Sequence, residues 1–102
     1  MKIIKKLSEM ITEEIHDADK YIRCALMHKE DMPALAEIFF KLSTEEMEHM
    51  KMLHEQVTRI ISDYRKEKGE TPPEMLAVYN YLHEQQIDHA AEVKAKQTLF
   101  RG

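Results

Sequence analysis

An all-α antiparallel bundle is the fold class this sequence predicts. Three observations carry it: 2 Gly and 3 Pro in 102 residues, apolar residues returning at alternating spacings of three and four, and helix-breaking residues gathered in two clusters. The clusters are HKEDMPA and KGETPPE, and two breaks leave three helices in one domain covering residues 1–102. A chain that is 43% hydrophobic and 33% charged is too apolar for disorder and suits long amphipathic helices.

The first helix is expected over about residues 2–28, where Ile4, Leu7, Ile11, Ala18, Tyr21 and Ala25 form one stripe. Asp31 is the expected N-cap of the second, with Pro33 in a first turn that needs no N–H. This helix should span about residues 32–68, its stripe carried by Leu35, Phe39, Leu42, Leu53 and Ile60. Arg65, Lys66 and Lys68 suit its C-terminal dipole, and Gly69 can take the left-handed cap. Thr71-Pro-Pro-Glu74 combines a capping hydroxyl, first-turn prolines and an early Glu, which starts a third helix over about residues 72–99. Helices of roughly 40 Å, at 1.5 Å per residue, pack side by side in so small a domain.

Composition also removes function classes. The single Cys24 excludes an intrachain disulfide and any rubredoxin-like, zinc or iron–sulfur site built from cysteines of one chain, and it points to a reducing compartment, the cytoplasm. A net charge of −4 with mixed signs throughout leaves no basic stripe for nucleic acid and no basic face for a membrane. The N-terminal MKIIKKLSEMITEE turns acidic where a secretory signal needs an apolar core. Gly occurs only at 69 and 102, so no phosphate-binding loop or nucleophile elbow can be placed, which disfavours nucleotide-dependent and hydrolytic chemistry.

Six His and 19 acidic residues keep metal chemistry open, and the apolar seams point to it. The inward series of the first helix reads Ile4, Leu7, Ile11, Glu14, Ala18, Tyr21, Ala25, and that of the second includes Glu46 and His49. Carboxylates on a seam cost several kcal/mol each unless a cation or tight hydrogen bonding compensates them. In an antiparallel hairpin the midpoints between Glu14 and Glu46, and between Glu14 and His49, both fall in the HKEDMPA turn, so all three converge at one height. Glu46-x-x-His49 sets a carboxylate and an imidazole one turn apart, a donor set for iron, manganese or zinc. One chain supplies half of a dinuclear carboxylate site, which needs four carboxylates and two imidazoles, so a two-fold homodimer is expected to complete it.

Glu14, Lys20-Tyr21, Phe39 and Glu45-Glu46-Met47-Glu48-His49 together resemble the first half of the ferritin-like superfamily, in particular rubrerythrin-type and encapsulated-ferritin-like proteins. The resemblance covers about residues 8–62, and its diagnostic content is a helix-borne Glu followed some thirty residues later by Glu-x-x-His. It implies Glu14 as the terminal or bridging ligand, Glu46 as the bridging carboxylate and His49 as the imidazole ligand of a di-iron site shared between two subunits. It further implies ferroxidase chemistry, with oxygen or peroxide as acceptor, for iron storage or detoxification. The third helix carries no Glu-x-x-His and there is no fourth helix, so the half-site arrangement of encapsulated-ferritin-like proteins is the nearer analogy. That analogy brings an enclosing shell protein or a separate electron donor as partners, although AKQTLFRG contains no recognisable shell-loading peptide.

Other readings stand beside this one. Glu14, Glu46 and His49 also fit a salt-bridged or exposed set on a helix whose buried face is rotated, in a non-catalytic oligomerisation protein with a lost or structural metal site. The third helix's series Met75, Tyr79, Leu82, Gln86, His89, Val93 places His89 on the seam, as a hydrogen-bonded core residue or, with Glu92, as a further donor. Glu13, Asp17, Glu45 and Glu48 form an acidic approach path or a solvated face. Met47, Met50 and Met52 read as adaptable packing, and Tyr21 as core filler or electron relay. His16, His28, His54 and His83 follow no ligand spacing.

Overall fold

The computed structural model describes residues 2–102 except the side chain of Met75, so that residue's place on the third seam lies outside the described residues. Helices α1 (Lys2–Met27), α2 (Pro33–Lys68) and α3 (Pro73–Arg101) run up, down and up in a rod of 56 × 20 × 18 Å. The described residues contain no strand. Side-chain partners fix the directions. Against α1, α2 pairs Phe39 with Tyr21 and Ser43 with Ala18, numbers rising on one helix as they fall on the other. Gln86 and Lys96 of α3 meet Ser8 and Asp19 in the same order, so α3 runs parallel to α1.

Helix α1 is the centre of the bundle, in contact with both other helices, while α2 and α3 touch each other at few points. Its stripe Ile4, Ile11, Ala18 and Ala25 is buried as the spacing requires, and a second line, Ser8, Ile15, Ile22 with Asp19, is buried as well because α3 covers it. Full burial of an isoleucine side chain contributes about 1.5–3 kcal/mol. The polar members of the second line are satisfied across the α1–α3 interface. Gln86 Nε2 donates to the Ser8 carbonyl at 2.9 Å and to Thr12 Oγ1 at 3.1 Å. Asp19 accepts from Lys96 Nζ at 2.6 Å and from Arg23 Nε at 2.8 Å. Burial pushes the Asp19 carboxyl up, and the hydrogen bonds and charges of Lys96 and Arg23 outweigh it, holding the group below its ordinary value.

On α2 the most buried line is Ala36, Ser43 and Val57, one residue later than the expected Leu35, Leu42, His49, Gln56 register and about 100° around the helix. Small residues at 36 and 43 let α2 approach α1 closely, and this turns Leu35 (37% exposed), Gln56 and His49 outward. Phe39, Leu42, Leu53 and Ile60 remain half-buried beside the contact. Met47 and Met50 pack against the core as expected of adaptable filler, whereas Met52 is exposed.

Both expected caps are displaced. Met32, not Asp31, holds the N-cap position of α2, and Asp31 instead lies 3.3 Å from His28 Nδ1 within the turn. Pro72 precedes another proline and is driven to an extended conformation, φ −54°, ψ 135°, so α3 starts one residue later than expected and Thr71 Oγ1 caps nothing. Gly69 does close α2, at φ 84°, its N–H donating to the Arg65 carbonyl. At the other end Arg101 lies over the Phe40 ring, pairs with Glu37 at 2.9 Å and so fastens the last turn of α3 to α2.

Because Ile22 is enclosed between the two interfaces, Ile22→Ala is expected to cost about 2–5 kcal/mol in urea unfolding, against less than about 0.5 kcal/mol for exposed Leu99→Ala. Equal effects at the two positions would contradict the packing described.

Candidate metal centre

Placement of the cluster follows from the helix wheel. On α1, the residues that meet α3 (Ser8, Thr12, Asp19) lie on one side of the buried line and Glu14 and Tyr21 on the other. Tyr21 stacks on Phe39, with ring centroids 6.3 Å apart, on the side of the α1–α2 groove away from α3. Glu14, two turns before Tyr21, therefore emerges in the same groove, and Glu46 and His49 reach it from α2.

The three donors expected from sequence do come together. One ligand atom from each of Glu14, Glu46 and His49 lies within 4.8 Å of the others, and no other group of three His, Cys, Asp or Glu among the described residues does so. His49 Nδ1 stands 3.5 Å from Glu14 Oε2 and 3.8 Å from Glu46 Oε2. Two donors bound to one ion at about 2.0–2.2 Å are separated by no more than about 4.4 Å, so both spacings fit a shared cation. Glu14 Oε2 is buried and has no hydrogen-bond partner, an atom that a cation would satisfy.

Electrostatics point the same way. The Glu46 carboxyl is pushed up to about 7, first by hydrogen bonding with Glu14, then by burial and by the Glu14 charge, with Asp17 adding and His49 opposing. Two ionised carboxylates cannot donate to each other, which leaves Glu14 Oε2 without a donor unless a proton or a metal ion is supplied. The donor set is two carboxylates and one imidazole, suited to iron, manganese or zinc.

The cluster sits at the edge of the core rather than within it. Side-chain exposure is 25% for Glu14, 19% for Glu46 and 54% for His49. Part of the rotated-face reading thus holds for α2, where the seam polars border the buried line instead of interrupting it. Around them the open face of the hairpin carries Leu35, Ile38, Leu42 and Leu53, of which Ile38 is 54% exposed.

Third-helix donors take no part in the cluster. His89 Nε2 lies 3.7 Å from Asp19 on the opposite side of α1, and Glu92 is an exposed residue of the cleft beside it. The reason is the same covering of α1 by α3 that buries Ser8 and Asp19. Asp19 itself was not singled out from the sequence; its i,i+4 spacing to Arg23 was the available signal. His54 and His83, which follow no ligand spacing, stack on each other across α2 and α3.

No helix of the described residues is long and apolar enough to cross a membrane. Comparison with known proteins finds no family model, no curated protein and no solved structure that matches this chain.

A folded-state carboxyl held above its unfolded value stabilises fully below the unfolded value and loses that contribution as pH rises through the folded one. For Glu46 the window runs from its ordinary value up to about 7. Metal-free protein is therefore expected to melt at a lower temperature at pH about 8 than at about 5.5 for this reason, and Glu14→Gln should shrink that difference. Thermal melts in chelator, with and without Glu14→Gln, measure it; identical pH profiles for the two proteins would remove the Glu14–Glu46 coupling.

Proposed function

We propose that this chain is a ferritin-like protein that oxidises Fe(II), using a di-iron carboxylate site shared between two copies. The observation that supports it best is the convergence of Glu14, Glu46 and His49 around a buried carboxylate oxygen that accepts no hydrogen bond. Iron is the substrate, and its one-electron oxidation delivers electrons to oxygen or peroxide. The protein's part is to bind and orient. Glu14 and Glu46 supply negative charge that favours Fe(III) over Fe(II), and His49 adds a neutral nitrogen donor. Storage or detoxification of iron is the physiological role such a site serves. A reducing cytoplasm, where the lone Cys24 stays a thiol and iron is ferrous, suits both, as does an enclosing shell protein or a separate electron donor.

Homodimerisation is part of the proposal. His49 is more than half exposed and Leu35, Ile38 and Leu42 lie on its side of α2, so a second copy laid there would bring a second set of donors to the first and bury these three residues. Manganese or zinc in place of iron fits the same donors without redox turnover. The apolar face also supports the second reading, a helical oligomerisation protein in which the cluster is structural or inert.

Anaerobic Fe(II) addition to metal-free protein, followed by air, is the experiment that separates these. Binding of about one iron per chain, oxidation on exposure to air and an oligomer that dissociates in chelator are expected. Glu46→Ala should abolish metal binding and weaken the dimer, because it removes the central donor and leaves its neighbours uncompensated. Unchanged metal stoichiometry in Glu46→Ala overturns the site, and an oligomer indifferent to chelator and iron favours the oligomerisation protein.

A further inference from the structure

Away from the cluster, three aromatic rings join α3 to α2. Tyr79 and His83 lie with centroids 5.6 Å apart and planes 9° from parallel, and His83 and His54 with centroids 4.8 Å apart and planes 13° from parallel. Ile11 and Ile15 of α1, Met50 of α2 and Ile87 of α3 wall a cavity of about 200 Å³ against the two imidazoles. His83 Nδ1 is buried with no hydrogen-bond partner. The stacked rings present faces to each other, so their in-plane lone pairs do not converge on one ion, and the pair is not a metal site. Its position matters because α2 and α3 meet at few points. Near the α1–α2 turn they are held by Phe40 on Phe100 and by Gln97 on Ser43. Toward the α2–α3 turn they part around an open cleft of about 480 Å³ between Ile61, Arg65, Leu76 and Tyr79. Between those two regions the histidine stack joins the two helices, beside Met50 and Ile87.

We propose that the His54–His83 stack is an acid-released clasp, in which protonation of the two imidazoles parts the first half of α3 from α2 and leaves the α1–α2 hairpin intact. A pair of imidazolium rings face to face at this spacing repel in an apolar surround, and no acceptor is present to take the proton of His83 Nδ1. The charged and titratable groups around the pair are Lys51 and Glu55 of α2 and Tyr79 of α3, while α1 presents Ile11 and Ile15. Lys51 adds to the repulsion and Glu55 opposes it. Burial, then His83, hold the His54 imidazole below its ordinary value against the pull of Glu55. A depressed folded-state value leaves stability complete above the unfolded value and withdraws it as pH falls through the folded one, so release occurs on acidification. The direction is opposite to that of Glu46, which distinguishes the two devices.

Hydrogen exchange of the full chain in chelator, at pH about 7.5 and about 5.5 and corrected for intrinsic rates, tests this. Exchange across residues 76–90 is expected to rise about tenfold at the lower pH, with no rise across residues 14–49, which the Glu46 carboxyl steadies as pH falls. The double variant His54→Phe with His83→Phe keeps the rings, cannot titrate and should lose the rise. Equal protection of 76–90 at both pH values, or a rise that survives in the double variant, overturns the clasp. A proton NMR titration of wild-type His54 gives a reading that needs no variant: it must titrate below the ordinary histidine value of about 6.5, and titration at that value overturns the clasp.

Discussion

The closeness of α1 to α2 is the constraint on which the rest of this bundle depends, and one hydroxyl marks it. Ser43 Oγ donates to the Ala18 carbonyl at 2.8 Å and accepts from Gln97 Nε2 at 3.0 Å, so a single buried atom touches all three helices. Ala18, Ala25 and Ala36 have no exposed surface, and their size allows the backbones to approach. At that spacing carboxylates of ordinary reach meet across the groove, which is how Glu14 and Glu46 come to share a proton's worth of space with His49. A bulkier residue at 43 would lift α2 from α1 and also leave Gln97 without its acceptor.

The two faces of α1 use polar residues in opposite ways. Toward α3 every buried polar group is answered: Gln86 by Ser8 and Thr12, Asp19 by Lys96 and Arg23. Across the groove, Glu14 Oε2 is buried and unanswered, and its neighbour is another carboxylate. A buried acceptor without a hydrogen bond, beside a like charge, is costly.

Much of this was legible in the sequence. The breaks at HKEDMPA and KGETPPE and the three-four spacing of Ile4, Ile11, Ala18 and Ala25 determine three helices, since each acts within one or two turns of chain. The height at which Glu14 meets Glu46 and His49 was legible too, because a short turn leaves an antiparallel hairpin little freedom of register. Rotation of α2 was not. Leu35, Leu42 and Leu53 outweigh Ala36 and Ser43 in any hydrophobic pattern, yet the small residues take the centre because close backbone approach is decided between helices and not within one. Asp19, a charged residue by type, was hidden for a related reason: its burial depends on Lys96, 77 positions later. The caps failed at Thr71 because two successive prolines constrain each other, an effect that residue-by-residue cap preferences do not include.

A rod 56 Å long and 20 × 18 Å across has a core about one side chain deep, so each level along its axis is its own layer. The Phe40–Phe100–Arg101 layer, the Ser43 layer, the carboxylate layer and the histidine stack follow one another along α2. Substitutions in layers more than about 10 Å apart then act nearly independently. Such a molecule can be altered end by end: the histidine stack can drift while Phe40, Phe100 and Arg101, about 20 Å away along α2, hold the last turn of α3 as before.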